Sequence, residues 1–164
     1  MIVISNTTPL RYLIEIEHTD IFPALFGQVV IPQAVFDELH DPKTPQQVKD
    51  WFSNHPIWLE IKMLSSPPAA ALNSLDYGER EAIALALELG ANAILIDDRE
   101  ARKAAKALSL TVLPTLAILE QAAAKDLIDL PQAIDRLSKT TFRAIPELFE
   151  QILERDRKRK EAEK

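Results

Sequence analysis

Five short apolar runs, separated by segments of helical period, constrain this chain more than any other feature. They are "MIVIS" at the N-terminus, "QVVI" (28–31), "IWLEIKML" (57–64), "NAILI" (92–96) and "TVL" (111–113). Short runs that are almost wholly apolar read as strands buried on both faces. "IWLEIKML" alternates more and reads as a strand nearer an edge. Strands separated by helices predict an α/β fold, with a parallel sheet covered on both sides. Ligands in such folds bind beyond the carboxyl ends of the strands, where the strand order reverses. The polar residues at those ends are therefore the candidates for function.

The helices between the strands carry their own punctuation. Thr8 reads as the cap of a first helix, with Pro9 at its first position, running to about Glu17. Pro32 opens a helix that holds Ala34, Val35, Glu38 and Leu39. The turn cluster "DPKTP" (41–45) precedes a short helix through Trp51, and "SSPPAAALNS" (65–74) is a connector. Asp76 reads as an N-cap, with Glu79 three residues on, for a helix from Tyr77 to Leu89 that Gly90 ends. Further helices are expected near 99–108, 115–125, 131–138 and 146–160. The last ends in "ERDRKRKEAEK", a mixed-charge tail expected to fray.

Composition closes off several chemistries. A chain of 164 residues suits one domain with a real core. Its glycines are only three, Gly27, Gly78 and Gly90, too scattered for a phosphate loop or a dinucleotide fingerprint. There is no cysteine, which excludes disulfides, zinc–thiolate sites and thiol nucleophiles. No apolar run is long enough to span a bilayer, and no basic-then-apolar leader is visible, which fits a cytoplasmic protein. His18, His40 and His55 lack ligand spacing, and Ser5 has no His–Asp partner set. The net charge of −6 argues against a simple basic module that binds nucleic acid by counterion release.

What gathers at the strand ends is oxygen. Ser5, Asn6 and Thr7 end the first strand; Asp97, Asp98 and then Glu100 follow the fourth. Glu79 opens the helix before the fourth strand, and Glu38 lies on the helix after the second. If strands one and four are neighbours, Asn6, Glu79 and Asp98 converge, with Glu38 reaching in from the side. Clustered carboxylates repel and need a cation, and all-oxygen donors suit Mg²⁺ or Mn²⁺. Such an ion serves phosphodiester hydrolysis. Each residue also has a plainer reading. Glu79 completes a capping box, Asp97 and Asp98 cap a helix, Glu38 is a solvated helix residue, and Asn6 holds a turn.

The stretches "VISNTTPL", "VVIPQAVFDEL", "LDYGEREAIALALELGANAILIDDREAR" and "LTVLPTLAIL" together resemble the PIN-domain family of metal-dependent nucleases. The likeness is to its small prokaryotic branch related to VapC toxins. It implies a three-layer α/β/α PIN-like fold with a four- or five-stranded parallel sheet and extra C-terminal helices. Residues 1–145 would form the nuclease domain, and 146–164 a C-terminal helix and charged tail. The family's acids map onto Asn6, Glu38, Glu79 and Asp98 as catalytic positions. Asn6, Glu79, Asp98 and Asp97 are the implied metal ligands for Mg²⁺ or Mn²⁺. Glu81 competes with Glu79, while Thr7, Ser5, Glu100 and Arg143 stand as supporting or substrate-binding residues.

Asn6 departs from the family, which places an aspartate there. An amide oxygen is a legitimate hard ligand but brings no charge, so cation binding is expected to be weaker. The resemblance implies an endoribonuclease acting on RNA, the toxin of a toxin–antitoxin pair, with an antitoxin partner and a homodimer. A PIN-like RNA- or protein-binding module with weakened catalysis is the alternative. A receiver-type phosphotransfer fold fits poorly, because its acidic pair should follow strand one.

Overall fold

The computed structural model describes residues 1–164. β1 (Val3–Ser5) passes directly into α1 (Thr7–Glu15), and α2 (Ile21–Phe26) leads to β2 (Val29–Pro32). α3 (Gln33–Glu38) and α4 (Gln46–Ser53) precede β3 (Leu59–Lys62). A single 3₁₀ turn at Ala70–Leu72 interrupts the connector before α5 (Tyr77–Leu89). β4 (Ala93–Leu95), α6 (Arg99–Ala107) and β5 (Val112–Leu113) complete the sheet. α7 (Thr115–Ala124), α8 (Leu130–Ser138) and α9 (Pro146–Ala162) follow.

The sheet has five parallel strands in the order β3-β2-β1-β4-β5. The order reverses between β1 and β4, whose ladder pairs Val3 with Ala93, Ile4 with Ile94 and Ser5 with Leu95. The carboxyl ends of these two strands are therefore level, and Asn6 and Ile96 leave the sheet side by side.

Strand alternation divides the core into two layers. Val3, Val29, Ile31, Leu59 and Leu95 pack with the larger helical layer, which includes α1, α2, α4, α7 and α8. Ile4, Val30, Ile94 and Ile96 pack with α5 and α6. Helices on both faces of a parallel sheet make the three-layer α/β/α arrangement. Trp51 and Trp58 join the aromatic cluster under the first layer, their rings 5.7 Å apart. α9 seats Ile152 in the same layer and touches α7 and α8.

Three local expectations are corrected. α1 begins at Thr7, so Asn6 and not Thr8 is its N-cap, and Pro9 lies inside the first turn. The cause is economy of chain. Asn6 is extended (φ −82°, ψ 178°) and donates its N–H to the Leu95 carbonyl at 2.9 Å, so one residue closes the ladder and opens the helix. α2 is an additional short helix, ended by Gly27 at φ 76°. The charged tail stays helical to Ala162, because Arg159 and Lys160 grip Asp156 at 2.8 and 2.9 Å on one helix face.

Candidate functional site

Four chain segments meet at the β1–β4 switch point, and each brings oxygen. Asn6 is 6% exposed and Glu79 is 7% exposed, both unusual for polar side chains. Asn6 Oδ1 and Glu79 Oε2 are buried and accept no hydrogen bond. Two buried acceptors without donors at one strand crest call for an explanation by an ion or water.

Glu79 is held by the start of its own helix. Its Oε1 accepts the Asp76 N–H at 3.3 Å, and with the Asp76 side chain turned to the Glu79 backbone this makes the expected capping box. Burial, and after it the nearby Asp98 carboxylate, push its carboxyl up to about 7. The Asp98 contribution places the two acids in each other's field across α5 and the β4 crest. Asp98 faces solvent and caps α6, its Oδ2 accepting the Ala101 N–H at 3.0 Å.

Glu38 is committed to protein donors. Its Oε2 accepts the Thr7 hydroxyl at 2.5 Å and its Oε1 accepts the Gly78 N–H at 2.9 Å. One carboxylate thus ties α3 to the start of α1 and to the first turn of α5. Asp97 is similarly engaged, accepting Thr115 N–H at 3.0 Å and Thr115 Oγ1 at 2.5 Å. Burial raises its pKa, while Thr115 and then Arg102 pull it back. Glu81 is engaged elsewhere, accepting the Ala34 N–H at 3.1 Å near the start of α3. That leaves Glu79 as the acid of this helix turned to the crest.

No three carboxylate or imidazole groups approach closely enough to hold a metal ion by themselves. The donor set facing the crest is smaller: the Asn6 amide, Glu79 and Asp98. Ser5 is fully buried and donates its hydroxyl to the Asn6 carbonyl at 2.9 Å, fixing the turn. Glu100 is exposed in the first turn of α6. Arg143 is exposed, and its guanidinium donates to the Phe142 carbonyl at 3.2 Å.

Beside the acids runs a groove of about 600 Å³. Asp97 and Asp98 stand at its wall with Arg102, Arg143 and Arg155, and Leu116 and Ile152 lie in its apolar part. Arg155 is paired bidentately with Glu120 at 2.7 and 2.9 Å. Arg102 and Arg143 make no carboxylate bond.

Gly78 and Thr115 are the residues that sequence reasoning passed over. The signal for Gly78 was present: glycine in a helix disfavours it by roughly 1 kcal/mol and suggests a close approach. A Cβ at Gly78 would overlap the Glu38 carboxylate. Gly78→Ala is therefore expected to expel Glu38 from its seat. Better helix propensity offsets part of the lost hydrogen bond, leaving a net destabilisation of about 0.5–2 kcal/mol. The check is a urea-denaturation cycle with Glu38→Gln. The double variant should be little worse than Gly78→Ala alone, whereas full additivity would show that the two residues do not act together.

The comparisons with known proteins agree with this architecture. A PilT N-terminus domain protein from the hyperthermophilic archaeon Sulfolobus solfataricus is similar in structure at a TM-score of 0.50 and 16% identity. The alignment covers 88% of this chain and 99% of that one, and at this identity the likeness is one of fold. Curated proteins gave no match. A family model described as a PIN domain matches residues 2–158, so the chain belongs to the PIN-domain family, whose fold is of a generally nuclease type.

Proposed function

We propose that this protein is a divalent-metal-dependent ribonuclease that hydrolyses RNA phosphodiester bonds. The observation that supports it best is the pair of buried, unpartnered acceptors, Asn6 Oδ1 and Glu79 Oε2, at the switch point beside Asp98. Acceptors without donors suit a hard cation, and an all-oxygen set suits Mg²⁺ or Mn²⁺. Asn6, Glu79 and Asp98 would hold that ion. When bound, it supplies a more acidic water and offsets charge on the phosphate under attack.

The chain's own groups have distinct roles in this reading. Glu79, its carboxyl pushed up to about 7 by burial and then by Asp98, would exchange whatever proton it carries for the cation. Glu38 and Asp97 are positioning residues: each fixes a hydroxyl and a backbone amide at the crest. Thr7, oriented by Glu38, lies next to Asn6. Arg102 and Arg143, on the groove wall, would take the phosphates that flank the scissile bond. An acidic crest beside a partly apolar groove also suits a basic segment of an antitoxin, so the toxin role belongs to the proposal.

A second reading, an RNA- or protein-binding module with weakened catalysis, is favoured by the amide at position 6 and by the absence of a three-carboxylate cluster. Purified protein incubated with a mixed RNA pool and Mn²⁺, beside a chelator control, separates the two. Metal-dependent cutting is expected, and RNA retention without cutting would favour the module. Asn6→Asp is expected to tighten Mn²⁺ about tenfold or more in titration calorimetry, since it adds a charge to the donor set. The same change should lower the melting temperature without metal, because a third acid joins Glu79 and Asp98 in a buried place. Unchanged affinity would remove Asn6 from the ligand set.

A further inference from the structure

The carboxyl ends of β2 and β3 open on the same side of the sheet as the crest, and Gln33 and Met63 follow them directly. An open cleft of about 420 Å³ lies there, walled by Gln33, Met63, Tyr77 and Glu81 among others. Tyr77 and Glu79 share the first turn of α5, and residues two apart on a helix do not face each other. Glu79 turns toward Asp98, while Tyr77 turns into this cleft. The groove of Arg102 and Arg143 begins at Asp98 and runs the other way. Cleft and groove thus flank the crest.

Tyr77 is 57% exposed, yet its ring is held on two sides. The Arg80 guanidinium lies over it, 5.6 Å from the ring centre. The Glu81 carboxylate stands at its hydroxyl and, by hydrogen bonding first and then by charge, raises the phenol's pKa. Glu81 is itself fixed, accepting the Ala34 N–H at 3.1 Å. A ring set in place with the rest of its surface in water is prepared for a stacking partner, since little freedom is lost on binding. Arg80 makes no ion pair with a carboxylate. A flat ring beside a cation without a counter-ion matches the two parts of a nucleotide, its base and its phosphate.

We propose that Tyr77 stacks a base of single-stranded RNA on the β3 side of the crest, and that Arg80 takes a phosphate of the same strand. This deepens the ribonuclease reading, on which it rests. With the scissile phosphate at Asn6, Glu79 and Asp98, the strand crosses the start of α5, from the groove of Arg102 and Arg143 to Tyr77. A base inside a duplex is already stacked on its neighbours, so the platform selects unpaired RNA. Stacking accepts every base, so this subsite adds affinity and fixes the direction of the strand without reading sequence.

The test is binding of a single-stranded oligoribonucleotide with 2-aminopurine at successive positions, whose fluorescence falls on stacking. Ca²⁺ replaces Mn²⁺, recovery of intact RNA is the control for cutting, and melts confirm that each variant is folded. Tyr77→Ala should weaken binding about tenfold and abolish the quenching at one position. Tyr77→Phe keeps the ring and should bind within about twofold of wild type. Arg80→Gln should lower the slope of log Kd against log salt by about 0.7, one phosphate contact, while Tyr77→Ala leaves that slope unchanged. Wild type that binds no RNA, or binds duplex as tightly as single strand, would overturn the proposal. So would Tyr77→Ala with wild-type affinity, Tyr77→Phe as weak as Tyr77→Ala, or an unchanged salt slope in Arg80→Gln. Cleavage with Mn²⁺ separates this from the nuclease reading. Binding that depends on Tyr77 in a protein that never cuts supports the platform and removes catalysis alone. Cutting by Tyr77→Ala with the wild-type KM removes the platform alone.

Discussion

Asp98→Asn is expected to weaken Mn²⁺ binding at least about tenfold and to slow RNA cleavage by about a hundredfold or more, while the protein melts within a few degrees of wild type. The separation follows from the two duties of Asp98. It caps α6 through Oδ2, and its charge faces the crest beside Glu79. Asparagine is as good an N-cap as aspartate, so the helix keeps its start. Only the charge is lost. Asp98→Ala removes both duties and should in addition lose about 1 kcal/mol of stability. Calorimetric titration, single-turnover cleavage and thermal melts on the three proteins decide the matter. If Asp98→Asn cuts RNA at the wild-type rate, the acid is a cap only and the catalytic reading of this crest fails.

Glu79→Gln should reverse its effect on stability according to whether metal is present. In the metal-free protein, burial and Asp98 raise the Glu79 carboxyl from 4.5 to about 7. A carboxyl with a raised folded pKa gives its full stability below the unfolded value and loses it as pH rises through the folded value. Wild type should therefore lose stability between about pH 4.5 and pH 7 at this group. After allowance for partial screening by solvent, the loss is about 1–2 kcal/mol.

Glutamine keeps the oxygen that accepts the Asp76 N–H and carries no titrating proton. Without metal, the variant should be the more stable protein at pH 8 and no more stable at low pH. With Mn²⁺ at pH 8 the order should invert, because wild type gains the cation and the variant gains much less. Urea denaturation at both pH values, with chelator or Mn²⁺, reads both effects. A constant difference between the two proteins across pH would show that Glu79 is not held protonated by its surroundings. Cation binding by wild type should also release about one proton below neutral pH.

Much of the fold was legible because its signals are local. Short apolar runs marked all five strands, most plainly β1, β2 and β4, which are buried throughout and have no wet face to show. Asp76 and Gly90 bounded α5 because caps act within a few residues. Strand ends also announce their polar residues, which is why Asn6, Asp97 and Asp98 stood out together. Where boundaries moved, as at α1, the reason was a ladder hydrogen bond from Asn6 to Leu95, far away in sequence.

The sequence alone determined which oxygens reach the crest: the strand lengths, the helix start at Asp76 and the Asn6 substitution are all written locally. The tertiary structure alone decided which of those oxygens remain free. Glu38 is taken by Thr7 and Gly78, 31 and 40 residues away, and Asp97 by Thr115, 18 residues away. Hydrogen bonds of that span depend on strand order and helix placement, which no local pattern encodes. The order β3-β2-β1-β4-β5 sets Asn6 level with the start of the Asp97–Asp98 turn. It also leaves Glu79 Oε2 and Asn6 Oδ1 buried without a donor, while Glu79 Oε1 takes the Asp76 N–H.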